Sequence, residues 1–117
     1  MARFYRYETV DIPLIFTPSG VLEGYESIVV SVAQDGVIQI DKTSEDTGLN
    51  IDTATDTITL SLSQEETGKF IGGDSNSPRK AQIQVNIYYN NNERDVSTVG
   101  NIDVYNNLYD KVIENEQ

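Results

Sequence analysis

The chain has 117 residues with neither cysteine nor histidine, and its 8 basic and 19 acidic residues give a formal net charge of -11. This length fits one domain with a modest core. The missing cysteines exclude disulfides and thiolate zinc sites, and the missing histidines remove the commonest general base. Because phosphate contacts need clustered Lys and Arg, we expect no nucleic-acid partner and no membrane partner.

Alternation of apolar and polar residues dominates the sequence from the N-terminal region onward. The alternating runs are "VDIPLIF", "YESIVVSV", "GVIQIDK", "TITLSL", "AQIQVNIYY" and "VGNIDVY". This pattern predicts strands with one buried and one solvated face, and it places Ile38 and Ile40 together on a buried face. Pro13 predicts an edge strand or a bulge, because proline cannot donate a ladder hydrogen bond.

Turn residues separate these runs at short intervals. "QDG" at 34–36 predicts a tight hairpin, and "YNNNERD" at 89–95 predicts a second one. About seven short strands joined by such turns favour an all-β fold, an immunoglobulin-like antiparallel β-sandwich spanning residues 1–105. A small closed barrel is the alternative architecture.

The segment "LSQEETGKFIGG" predicts a short helical turn near residues 63–69, between two strands. Ser63 and Glu66 have the S-x-x-E spacing of a capping box, in which each side chain satisfies a backbone N–H of the other residue. Gly68 is expected to end the turn in a left-handed conformation. Phe70 and Ile71 are then expected to close one end of the core.

The C-terminal stretch "NNLYDKVIENEQ", residues 106–117, loses the alternation and predicts a short helical tail. Leu108 and Val112 lie four residues apart, as do Tyr109 and Ile113. This tail could pack on its own sandwich, dock on a neighbouring copy or partner, or fray.

Tyrosine is the enriched aromatic residue, with seven copies against three of phenylalanine and none of tryptophan. Tyrosine suits half-buried contact surfaces because it is large, stiff and amphipathic. These side chains could close the ends of the sandwich, form a protein contact surface or form a carbohydrate platform. The candidate partner-binding residues combine tyrosines with the apolar residues of the tail: Tyr5, Tyr7, Tyr88, Tyr105, Leu108, Tyr109, Val112 and Ile113.

No arrangement of residues in the sequence predicts catalysis or metal binding. "SNSPRK" reads as a turn before a strand rather than a Ser–Lys dyad, and "GGDSNS" lacks the ligand spacing of an EF-hand. We therefore predict no enzyme activity, no metal ligand and no cofactor.

Four segments together resemble a known family of proteins: "YRYETVDIPLIF", "VVSVAQDGVIQI", "DTITLSLSQEETGKF" and "AQIQVNIYY…NIDVYNNLYDKVI". They look like the short immunoglobulin-like proteins encoded among phage structural genes, which are similar to the N-terminal adaptor domain of phage baseplate upper proteins. In these sequences L-[ST]-Q-E-[EQ]-T, here residues 62–67, precedes a basic residue that begins a strand, here "RKAQIQVNIYY".

This resemblance implies a non-enzymatic virion structural or adaptor protein. It would dock other virion proteins in the baseplate, tail, collar or head, as part of a symmetric assembly or homo-oligomer. "MARFYRYETV" does not read as a signal peptide, so we expect synthesis in the host cytoplasm and a final location in the virion. The alternative function is a small carbohydrate-binding module for attachment to the host cell surface.

Overall fold

The alternating runs fold as strands in the computed structural model, which describes residues 2–17, 19–90, 93–97 and 100–108. Each of these runs buries one face, because its apolar residues recur at every second position. In chain order the elements are β1 (Ala2–Tyr5), β2 (Val10–Ile15), β3 (Tyr25–Gln34), β4 (Val37–Thr43), β5 (Leu49–Asp52), β6 (Thr57–Leu62), α1 (Gln64–Thr67), β7 (Arg79–Tyr89), β8 (Arg94–Val96) and β9 (Gly100–Tyr105).

The strands form two sheets whose order is that of an immunoglobulin-like sandwich. The larger sheet has the order β1-β9-β7-β3-β4, with β8 also paired to β7, and the smaller sheet has the order β2-β6-β5. In the immunoglobulin arrangement, strands B, E and D form one sheet and C, F and G form the other. Strands β2, β6 and β5 match the first set and β3, β7 and β9 match the second. The prediction of an all-β sandwich is therefore confirmed.

Two details of the sandwich differ from the prediction of about seven antiparallel strands. The described residues form nine strands, because the short strands β1, β5 and β8 lie outside the alternating runs. β1 pairs with β9 in parallel, with Phe4 opposite Val104, so the sandwich is not purely antiparallel. The alternating pattern does not specify strand direction, since both directions bury every second residue.

The core lies between the two sheets and is built from their inward-facing apolar side chains. Phe4 of β1 and Phe70, which follows α1, are 0% and 1% exposed, and their rings meet edge to face with centroids 5.3 Å apart. The remaining buried apolar residues come from both sheets and the β2–β3 connection: Ile12, Leu22, Ile28, Val30, Val32, Ile40, Leu49, Ile58, Leu60, Leu62, Ala81, Ile83, Val85, Ile87, Ile102 and Val104.

Three predictions made from proline and from turn residues are confirmed. Pro13 lies in β2, an edge strand of the smaller sheet, as predicted. Asp35 and Gly36 both have positive φ, 54° and 81°, which suits the two-residue turn of a tight hairpin between β3 and β4. The second predicted hairpin joins β7 to β8.

The prediction for Ile38 is wrong, because a bulge shifts the register of β4. Val32 pairs with Ile40, but the next residue, Ala33, pairs with Ile38 rather than with Gln39. Ile38 therefore joins the outward-facing side of the sheet with Ala33 and is 59% exposed, whereas Ile40 is buried.

Candidate functional site

The segment between β6 and β7 carries the chain from one sheet to the other, and its capping box is present. Ser63 Oγ accepts a hydrogen bond from the Glu66 N–H at 3.2 Å, and Glu66 Oε1 accepts one from the Ser63 N–H at 2.9 Å. Both orphan donors at the start of α1 are thereby satisfied. The role predicted for Ser63 and Glu66 is confirmed.

Glu66 has a second partner that the sequence did not reveal. Lys42 Nζ of β4 lies 3.0 Å from Glu66 Oε2 and donates to the Ser61 carbonyl at 3.1 Å. Burial raises the pKa of the Glu66 carboxyl, but the Ser63 N–H and the Lys42 ammonium outweigh that effect and hold the pKa below its ordinary value. Lys42 thus connects β4, an edge strand of the larger sheet, to the start of α1 beside the smaller sheet.

Gly68 does not end α1 in the predicted left-handed conformation. Its φ is -69°, which is ordinary right-handed backbone. The glycine is needed for space, because a Cβ there would lie 2.5 Å from Cε1 of the Tyr7 ring. The Arg6 guanidinium lies 4.9 Å from the centre of that ring and donates to the Gly68 carbonyl at 2.9 Å. The β1–β2 turn therefore rests on the end of α1.

Phe70 and Ile71 have different environments, although both were predicted to close the core. Phe70 is buried, as expected, but the Ile71 side chain is 53% exposed. The Ile71 backbone is held instead by the buried amide of Gln34, which donates to the Ile71 carbonyl at 2.7 Å and accepts from its N–H at 2.6 Å. Ile71 is thus fixed at the surface.

Replacing Ser63 by alanine is expected to lower the free energy of unfolding by about 1 kcal/mol, because the N-cap acceptor for the Glu66 N–H is lost. Chemical denaturation would measure the change. Ser75→Ala in the exposed 74–77 turn is the matched control and should change stability by less than about 0.5 kcal/mol. Equal stability of the two variants would contradict a stabilising role for this cap.

Three of the candidate partner-binding tyrosines lie on the outer face of the larger sheet. Tyr5 and Tyr105 are register partners, and their rings stack with centroids 5.2 Å apart and an interplanar angle of 29°. Tyr88 lies on the same face towards the other end of β7, where Arg94 sits 5.8 Å from its ring centre. Tyr105 follows Val104, the register partner of Arg79, so it lies ten residues from Tyr88 along the direction of β7, about 34 Å.

The other candidates do not join this face. Tyr7 has a φ of +64° and packs against Gly68 at the corner, so its ring supports the fold. Leu108 is fully exposed near the end of the sandwich where β9 ends. Tyr109, Val112 and Ile113, together with most of the predicted C-terminal helix, lie outside the described residues.

Between the tyrosines lies a surface that sequence reasoning missed, which we call the amide face: Ser31, Gln82, Gln84, Asn86 and Asn101. Pairing across three strands makes it continuous, since Gln84 lies opposite Ser31 and Gln82 lies opposite both Ala33 and Asn101. The alternation of polar and apolar residues in β7 predicts that each of its side-chain amides is solvated, but it does not show which strands lie beside β7. The register supplies that information.

Charged groups on this side of the sheet lie at the margins of the amide face, and they include Arg3 of β1, which lies opposite Asp103 in the register. Lys80 forms an ion pair with Asp103, and Asp41 accepts a hydrogen bond from Ser31 Oγ at 3.0 Å. Arg94 donates to the Tyr88 hydroxyl at 3.4 Å. A protein of net charge -11 therefore has a sheet face whose centre is uncharged, and one pair of its marginal charges, Lys80 with Asp103, is mutually compensated.

Within the described part of the chain, no group of three or more acidic side chains is arranged to hold a metal ion. Asp74, in the loop that resembled a calcium site, accepts hydrogen bonds from the Asn76 and Ser77 N–H groups at 3.2 and 2.8 Å. This is the local capping expected of a turn aspartate. Over the same described ranges, no helix is long and apolar enough to cross a membrane.

No protein-family model matches the chain, and no curated protein matches it either.

Proposed function

We propose that the chain is a non-enzymatic bacteriophage virion structural or adaptor protein that docks other virion proteins through the amide face. The main supporting observation is that this face has an uncharged centre and tyrosines at both ends, although the protein as a whole is strongly acidic. The sequence resemblance to phage adaptor domains supplies the context of the virion.

The composition of the amide face suits burial against another protein. Burying an unpaired charge costs several kcal/mol, whereas a side-chain amide can exchange water for hydrogen bonds to a partner. Interface centres are accordingly depleted of charge and enriched in tyrosine. The half-buried Gln84 and Asn86 are flanked by neighbouring strands, so little side-chain entropy remains to be lost when a partner covers them.

The outer face of the smaller sheet provides an internal comparison. It presents Asp11, Asn50, Asp52 and the threonines of β6 beside Pro13, and Asp11 accepts a hydrogen bond from Ser61 Oγ. This face is narrower, because its sheet has three strands, and it carries acidic groups without a basic partner among the bonds of the described residues. It is the less suitable docking surface for a partner.

The proposal is tested in particles purified from a phage that carries the gene. Mass spectrometry is expected to find the chain in those particles, and Gln84→Glu should reduce its incorporation by about tenfold or more, because it places a carboxylate in the contact centre. Thr59→Glu on the outer face of the smaller sheet is the matched control and should leave incorporation unchanged.

Three outcomes would contradict the proposal. Absence of the chain from particles, despite its presence in the infected-cell lysate, would exclude a virion role. Equal incorporation of both folded variants would show that the amide face is not the docking surface. If the chain instead bound host cell walls, and Gln84→Glu abolished that binding, the carbohydrate-binding alternative would replace the virion function.

A further inference from the structure

An open groove runs between the two sheets along the edge of β2. It consists of two adjoining cavities, of about 610 and 300 Å³, and Pro13 lines both of them. The larger cavity extends along β2 to Thr17, and the smaller one extends back to Val10. We call this continuous surface the edge groove. The apolar side chains that line its larger part come from β2, the β2–β3 connection and the inner face of β7: Leu14, Phe16, Val21, Ile83, Val85 and Ile87.

The edge groove lies where an immunoglobulin sheet has a further strand. In the immunoglobulin arrangement strand A pairs with strand B, in the same sheet as strands E and D. β2 corresponds to strand B, but within the described residues it pairs only with β6, because β1 pairs with β9 in the other sheet. Leu14 and Phe16 accordingly face the core and are only half-buried. The described part of the chain therefore leaves the position beside β2 open.

β2 directs backbone hydrogen-bonding groups into this open position. The Phe16 N–H donates to the Asp56 carbonyl at 2.9 Å, on the side of β6. Because the direction of these groups alternates along a strand, the backbone groups of Asp11, Pro13 and Ile15 face away from β6. They offer three carbonyls but only two N–H donors, since proline has none. Edge groups of this kind are a template for pairing with another strand.

We infer that a β-strand of another protein pairs with β2 and fills the edge groove. Residues of that strand opposite Ile12, Leu14 and Phe16 face the groove, because paired residues of neighbouring strands point to the same side of a sheet. The partner strand must therefore be apolar at every second position. Its main-chain hydrogen bonds to β2 supply affinity, and its apolar side chains supply specificity.

The charge beside the edge groove indicates a further property of the partner strand. Asp95 lines the larger cavity and is the register partner of Ile87, so its exposed carboxylate lies on the inner side of β8. It accepts a hydrogen bond from the Tyr89 hydroxyl at 3.4 Å, and none of the ion pairs among the described residues involves it. A Lys or Arg near one end of the partner strand would pair with Asp95.

A second copy of this chain fits the edge groove less well than a different protein. Two chains of net charge -11 repel each other. The β2 strand of a second copy could not fill the groove, because its Ile12, Leu14 and Phe16 already face its own core. This inference is independent of the proposed virion function, since it concerns the edge of the smaller sheet and not the amide face.

Synthetic peptides test the inference on the full chain. We expect a peptide that alternates valine with threonine between terminal lysines to bind, and to slow amide hydrogen exchange at Asp11 and Ile15. A peptide of the same composition with its valines consecutive should bind about tenfold more weakly or worse, because it cannot direct them all into the groove.

Methylated peptides test whether the contact is strand pairing. Only every second N–H of a paired strand faces its neighbour. Methylation of either the threonine nitrogens or the valine nitrogens should therefore abolish binding of the alternating peptide, and methylation of the other set should not. This comparison uses the natural chain, so it does not depend on the folding of a variant.

Ile15→Pro tests the same pairing from the side of the protein. It removes one outward N–H donor without breaking a bond to β6, and Pro13 shows that β2 accepts proline at such a position. We expect the alternating peptide to bind this variant about tenfold more weakly or worse. Ile15→Val is the matched control, because it keeps the N–H and should bind the peptide as the natural chain does.

Three results would overturn the inference. The first is failure of the alternating peptide to bind, or equal binding of the peptide with consecutive valines. The second is equal binding of both methylated peptides. The third is slow exchange at Asp11 and Ile15 in the free chain, which would show that the edge is already covered. Protection that rises with protein concentration would then assign the groove to a second copy, and protection independent of concentration would assign it to the same chain.

Discussion

Replacing Phe70 by alanine is expected to lower the free energy of unfolding by about 3–5 kcal/mol. The Phe70 ring is 1% exposed and meets the ring of Phe4 edge to face, so alanine would remove both the buried area and that contact. Phe70 follows the corner between the sheets and packs against β1, the strand that pairs in parallel with β9. Its loss opens a cavity where the chain crosses from one sheet to the other.

Denaturant unfolding of Phe70→Ala and of Ile15→Ala tests this expectation. Ile15 is 76% exposed at the end of β2, so the control should lose less than about 1 kcal/mol. A double-mutant cycle with Phe4→Ala should add a coupling of about 0.5–1.5 kcal/mol from the aromatic pair. A loss below about 1 kcal/mol for Phe70→Ala would mean that the site relaxes around the missing ring.

The sequence predicts most of the sandwich because its strands are amphipathic and its turns contain position-specific residues. Pro13 in an edge strand, the Asp35–Gly36 turn and the Ser63–Glu66 capping box are all local signals, and all are confirmed. Each depends on residues no more than three positions apart. Backbone geometry at that range is determined by the residue types themselves.

Two errors, at Gly68 and Ile71, occur where distant parts of the chain meet, and the third, at Ile38, comes from a bulge within the β3–β4 hairpin. Ile38 turns outward because β3 and β4 pair with a bulge, and Gly68 is required by the ring of Tyr7, sixty-one positions earlier in the chain. Ile71 is held at the surface by Gln34 from another strand. No local pattern encodes these contacts.

In the candidate site too, the sequence identifies some residues but not their arrangement. The enrichment in tyrosine directs attention to Tyr5, Tyr88 and Tyr105, which share one face of the larger sheet. The amide face between them depends on the lateral register of β3, β7 and β9, so sequence alternation could mark its residues only as solvated. Its proposed role rests on the arrangement of these side chains rather than on any one residue.

Replacing Thr67 by valine is expected to lower the free energy of unfolding by about 2 kcal/mol, although the two side chains have nearly the same shape. Thr67 is fully buried, and its hydroxyl donates to the Glu8 carbonyl at 2.8 Å and accepts from the Glu8 N–H at 3.1 Å. Valine would leave the carbonyl without this donor and the N–H with only its longer 3.3 Å bond to the Tyr5 carbonyl.

The matched control is Thr67→Ser, which keeps the hydroxyl but removes a buried methyl group and should cost about 1 kcal/mol. Amide hydrogen exchange at Glu8 provides a second readout, because the Glu8 N–H loses its bond to the residue 67 hydroxyl only in the valine variant. If valine proved at least as stabilising as serine, with unchanged exchange at Glu8, packing of the methyl groups would fix this turn. The expected result is that the serine variant is the more stable of the two. It would show that the buried Thr67 hydroxyl holds the β1–β2 turn on α1. The same contact would then hold Tyr7 against Gly68.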